Sequence, residues 1–110
     1  MNKRKVLYYD YDVNFEKWRP GTLYHLSDLF INYRMLYIVI EDTSKDNFTQ
    51  MIDVESIKLL VNTEISFSTY KLDLGIKFYD NNTIKVSYNN SMPGNSYSYS
   101  AHLVIVVGIN

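Results

Sequence analysis

The stretch from residue 71 to residue 110 admits few folds. Over residues 72–79 the even positions are Leu72, Leu74, Ile76 and Phe78, and the odd ones are Asp73, Gly75, Lys77 and Tyr79. That is the period-two alternation of a strand with one face against a core. Asp80, Asn81 and Asn82 follow, with short side chains that tolerate left-handed backbone and bond back to the chain. Residues 83–88 alternate again, with Ile84, Val86 and Tyr88 on one side, so the segment predicts a β-hairpin. The chain then closes on Leu103-Val104-Ile105-Val106-Val107, an unbroken apolar run expected of a strand covered on both faces.

The preceding residues extend the pattern. Residues 5–13 read as a first strand whose Asp10 and Asp12 suit an edge or interface position. Pro20-Gly21 predicts a turn, and Trp18 just before it is expected in the core rather than on a sugar-stacking surface. Residues 22–26 read as a short strand. Leu26, Leu29, Phe30 and Tyr33 then stand at helical spacing behind Ser27, which predicts one helical turn capped by Ser27. Residues 35–41 form a central strand apolar on both faces. Residues 49–54 and 56–60 read as two short strands or one bent one, and 64–70 as another strand, with a turn at 61–63. Pro93-Gly94 marks a second turn inside a polar loop over residues 89–95, where no residue looks suited to a core. The expected fold is all-β: one domain over 1–110, an antiparallel, jelly-roll-like sandwich of about eight short strands with one short helical turn. Residues 1–14 would be its edge or interface strand, and 15–110 the body.

Composition excludes several functions. Eleven basic against 12 acidic residues leave a net charge of −1, so no basic excess exists to neutralise phosphates, and Lys3-Arg4-Lys5 is too short a run to suggest nucleic acid. There is no cysteine, which argues against a disulfide-stapled extracellular domain and favours a bacterial, viral or cytosolic origin. Asp10 interrupts the apolar residues behind the basic start, so no signal peptide is expected, and the apolar runs are too short to span a membrane. Eleven tyrosines exceed what strand propensity alone asks for, and some are expected at an interface or ligand surface.

Chemistry-bearing constellations are sparse. Asp10-x-Asp12-x-Asn14 opens like a calcium loop, but Phe15 and Gly21 stand where the loop needs glycine and glutamate. His25 and His102 are expected at the surface or an interface, not as metal ligands. Glu41/Asp42 and Asp53/Glu55 could pair as glycosidase carboxylates, yet each lies at a strand end or in a loop, where solvated acids are the default. No nucleophile motif or phosphate loop occurs. The reading is therefore a non-enzymatic protein without metal or cofactor.

Several features recur in a recognisable order: Trp18-x-x-Gly21, residues 22–28, Asn32-Tyr33-x-x-Leu36, Ile76-x-Phe78, the Asn-rich turn, Thr83-Ile84-x-Val86, and the closing strand ending Gly108-Ile109-Asn110. Over residues 15–110 this resembles the C-terminal receptor-binding head domain of bacteriophage tail-fibre and baseplate proteins. The resemblance implies a virion protein whose β-sandwich head, usually a homotrimer, attaches non-covalently to a host surface polysaccharide or protein. Such heads normally follow a long shaft. A head beginning close to Met1 implies an excised domain or a free-standing fibre or capsid decoration subunit whose partners are other virion proteins. If it binds saccharide, Asn89, Asn90, Ser91, Asn95, Tyr97 and Tyr99 are the expected surface. Amides and hydroxyls would satisfy sugar hydroxyls, and tyrosine rings would stack on the sugar's C–H face.

Overall fold

The computed structural model describes residues 3–10, 18–59, 62, 64–80, 82–94 and 98–110. Eight strands occur among them, in two four-stranded antiparallel sheets. The first sheet has the order β1 (Arg4–Tyr9), β8 (Ala101–Ile109), β3 (Met35–Asp42), β4 (Asn47–Asp53). The second has the order β2 (Leu23–His25), β7 (Thr83–Ser91), β6 (Leu72–Asp80), β5 (Glu64–Ser68). Their inward faces share one core: Leu36, Ile38 and Ile40 come from β3, and Leu74, Ile76, Phe78, Ile84 and Val86 from the β6–β7 hairpin. Phe30 and Phe78 meet edge to face at 5.0 Å.

The hairpin is the predicted one, with β6 running one residue further, to Asp80, and β7 three further, to Ser91. The turns at Pro20-Gly21 and Pro93-Gly94 are also present, with φ of +92° at Gly21 and +91° at Gly94.

Three local expectations are corrected. Residues 54–59 are not a strand but a short helix, α1 (Val54–Leu59), with Asp53 Oδ1 accepting the backbone N–H of Glu55 at 3.0 Å. An aspartate ahead of the helix, supplying an acceptor to its first turn, outweighs the β-propensity of Val54. The helical turn is confined to a 3₁₀ turn at Phe30–Asn32, and Ser27 does not cap it. Ser27 Oγ donates instead to the Val6 carbonyl, while Asp28 accepts from the Leu29 N–H, the Asn32 amide and the Tyr33 hydroxyl. The third correction is at Tyr88, which leaves the core face. A bulge at Ser87 sets Gly75 opposite Tyr88 but Ile76 opposite Val86, and one extra residue turns every later side chain over. Tyr88 therefore covers Gly75 on the outer face, where a Cβ would clash with its ring.

Trp18 is in the core, 1% exposed, stacked on Tyr24 at 4.2 Å with Tyr8 edge-on to both. Burial, reinforced by the Asp10 charge, pushes the Tyr24 phenol from 10.0 up to about 12, and raises Tyr8 in the same way. A phenol whose pKa is raised by folding contributes stability that is whole below its unfolded value and lost as pH rises through its folded one. Urea midpoints followed by Trp18 fluorescence are expected to hold up to pH 10 and fall between pH 10 and 12. Tyr24→Phe should make that fall shallower; an identical fall would show that these phenols do not govern it.

Register places three cross-strand rows on the outer face of the first sheet: Arg4–Ile109–Met35–Asp53, Val6–Val107–Tyr37–Met51 and Tyr9–Ile105–Val39–Thr49. The central residues of these rows are half-buried and the edge ones exposed. The expectation that residues 103–107 are covered on both faces is thus not met within the chain: the second sheet covers only one.

Candidate functional site

Two residues of the predicted saccharide surface, Asn89 and Tyr99, are engaged in contacts within the chain. The 89–95 segment is not one loop, since Asn89, Asn90 and Ser91 belong to β7. The Ser87 bulge sets Asn89 opposite Leu74, hence inward. Its amide nitrogen donates to the carbonyls of Trp18 (3.1 Å) and Ala101 (2.8 Å), and its oxygen accepts the Ala101 N–H at 3.0 Å. Asn89 thus fastens one sheet to the other, in a segment that looked unsuited to any core. Asn90 is exposed and Ser91 partly buried. Asn95 and Tyr97 lie outside the described residues.

Tyr99 belongs to a second sheet-to-sheet bridge at the same end. The Lys71 ammonium lies 5.7 Å from the Tyr99 ring centroid and 5.5 Å from that of Tyr70. It donates to Ser44 Oγ at 2.7 Å, and it pairs with Asp42 at 3.5 Å and with Asp46. Its hydrogen bond to Asp46 outweighs burial and raises its pKa. For Asp42, burial opposes ionisation but is outweighed by hydrogen bonds from the Ser44 hydroxyl and the Asp46 and Ser44 N–H groups, with Lys71 beside them, and the carboxyl is held below its ordinary value. The histidines divide. His25 is exposed and bonded to Thr83 at 3.1 Å. His102, expected at the surface or an interface, is fully buried with Glu41 at 3.6 Å. Among the described residues no group of three or more His, Asp or Glu could hold a metal ion.

The open site is at the other end, where β8 finishes and β3 begins. A cleft of about 630 Å³ has Ile31, Met35 and Ile109 among its lining residues, with Arg34 and the acids Asp53 and Glu55 beside them. A second hollow of about 440 Å³, beside Lys3, Arg4 and Lys5, shares Asn32, Tyr33 and Asn110 with the first. These three residues separate the two, and they are fixed. Asn110 donates to the Asn32 carbonyl at 3.1 Å and accepts the Arg34 N–H at 3.0 Å. The Tyr33 hydroxyl donates to Asp28 at 2.8 Å, and Asp28 also faces Lys5 at 3.6 Å. The Tyr33 ring lies over Gly108, where a Cβ would come within 2.6 Å, so only glycine admits this contact. Preset walls, an apolar lining and charges of both signs suit reversible binding of a polar ligand.

Reasoning from sequence did not single out this cleft. Its walls join Asn32-Tyr33 to Gly108-Ile109-Asn110, two segments far apart in sequence that the fold brings into contact. No protein-family model matches the chain, and comparison with curated proteins finds no match.

Proposed function

We propose that this protein is a non-enzymatic bacteriophage virion component, a fibre- or baseplate-type head that attaches to a host surface polysaccharide. The observation that carries the reading is the end cleft, whose walls are already ordered by their own hydrogen bonds and whose charged groups stand beside an apolar lining. A ligand of polar rings meets there both the polar groups and the apolar surface it needs, at little cost in ordering. Two further points support it. Four of the residues on which the head-domain resemblance rests, Asn32, Tyr33, Ile109 and Asn110, line the cleft. The pairings β1·β8 and β2·β7 wrap the two ends of the chain around its middle, which fits a jelly-roll-like head, with the β3–β4 hairpin and the β5–β6–β7 meander filling the remaining places. On this reading the chain is made in the host cytoplasm and assembled into the virion as a homo-oligomer.

A second reading, a capsid or tail decoration subunit that binds only other virion proteins, is favoured by the half-exposed apolar outer face of the first sheet. An array of bacterial surface polysaccharides separates the two. The adhesion reading expects binding that Arg34→Ala or Glu55→Gln weakens about tenfold, the loss of one good polar contact. Tyr97→Ala and Tyr99→Ala should leave it within about twofold, a change of less than about 0.5 kcal/mol. The reverse pattern would return the site to the 89–99 segment. Silence on the array with capture of purified tail or capsid proteins would establish the decoration reading.

A further inference from the structure

The outer face of the first sheet departs from what an antiparallel sheet with one solvated face should show. Such a sheet alternates apolar inward and polar outward. Here the middle of each of the three rows above is apolar, and exposed apolar side chains lie at their ends: Val6 (48% exposed) and Tyr9 (44%) on β1, Met51 (50%) on β4. Contiguous apolar surface of this extent marks an interaction site. The edges do not offer an equivalent surface on both sides. On β1, the carbonyls of Val6 and Leu7 already accept hydrogen bonds from Ser27, which obstructs a strand added there.

The charges on this face select the partner. Arg4 and Asp53 stand at opposite ends of one row, Arg4–Ile109–Met35–Asp53. A two-fold axis parallel to the strands, between two sheets packed face to face, exchanges the β1 side with the β4 side and keeps height along the strands. It therefore sets Arg4 against the partner's Asp53, twice. In the next row it sets Val6 against the partner's Met51 and Val107 against the partner's Tyr37. Both charges are answered and both exposed apolar ends are covered. We propose that this face docks a second copy of the chain, making a two-fold dimer.

Met35, Asp53 and Ile109 also line the end cleft, so the docked copy covers part of that lining, and dimerisation should compete with saccharide binding there. The docking itself does not rest on the adhesion reading. A wild-type monomer that binds polysaccharide would overturn the dimer alone, and a folded, monomeric Tyr37→Lys variant silent on the array would overturn adhesion alone.

The test is sedimentation velocity on the full chain across a concentration series, with thermal unfolding by circular dichroism to confirm that each variant folds. The wild type is expected to dimerise. Tyr37→Lys, at the centre of the face, should raise the dissociation constant roughly 30-fold or more, the scale of a buried aromatic anchor. Arg4→Glu should weaken the dimer, and adding Asp53→Arg in the same chain should restore it. Because Asp53→Arg also removes the acceptor at the start of α1, Asp53→Arg alone is measured beside it and should weaken association as Arg4→Glu does. A wild-type monomer, a trimer such as the head-domain resemblance implies, or a dimer indifferent to Tyr37→Lys and the charge reversals would overturn the proposal.

Discussion

Asn89→Ala is expected to remove about 3 kcal/mol of unfolding free energy, because it leaves buried backbone groups of Trp18 and Ala101 without partners. Three bonds end at this one amide: two from its nitrogen to the carbonyls of Trp18 and Ala101, and one to its oxygen from the Ala101 N–H. Ala101 and Trp18 are buried, so water does not readily replace the amide. Urea unfolding should show a lower midpoint at an unchanged slope. The exposed neighbour Asn90, changed to alanine, should stay within about 0.5 kcal/mol of wild type. An Asn89→Ala chain of wild-type stability with impaired saccharide binding would instead make Asn89 a ligand residue.

Asp42→Ala should rank beside it, at about 3 kcal/mol near neutral pH, the scale of breaking a buried ion pair from one side. The carboxylate accepts the Ser44 N–H at 2.8 Å, the Ser44 hydroxyl at 2.6 Å and the Asp46 N–H at 3.1 Å, and it faces Lys71, which also pairs with Asp46. The effect has a defined pH dependence. Folding lowers the Asp42 pKa below 3.8, so its stabilisation is whole above that value and is lost as pH falls through the folded one. Asp28 and Asp80 are lowered too: Asp28 by the Tyr33 hydroxyl and the Leu29 N–H, Asp80 by the Asn82 N–H. The wild type should therefore lose stability steeply below pH 3.8, and the gap between it and Asp42→Ala should narrow over the same range. A gap constant down to pH 2 would show that the loss is one of packing, not of charge.

Alternation made the β6–β7 hairpin and its core residues legible, because a period of two leaves little choice of face. It failed at Tyr88 and Asn89, where the Ser87 bulge inserts one residue and reverses the faces beyond it. Nothing in Val86-Ser87-Tyr88-Asn89 announces a bulge, and an asparagine in a polar run looks solvated until its partners on β8 are known. Helix α1 was missed although Asp53 was visible as an acceptor, since six residues between strands hold too little periodicity to outweigh Val54. The end cleft was out of reach for a different reason: Asn32 and Asn110 are 78 residues apart, and only the fold lets them bond. Residues 35–41 and 103–107 were correctly seen as apolar on both faces. Sequence cannot tell whether a second sheet or a second molecule covers the other side, and the two sheets of this chain cover only one.

Whether this chain binds a saccharide at all is tested most directly by one measurement: the wild-type protein, over a concentration series, on an array of bacterial surface polysaccharides. Saturable binding to a restricted set of glycans, with every glycan recovered chemically unchanged, is the predicted result. No binding to any glycan, or recovery of cleaved products, would contradict it.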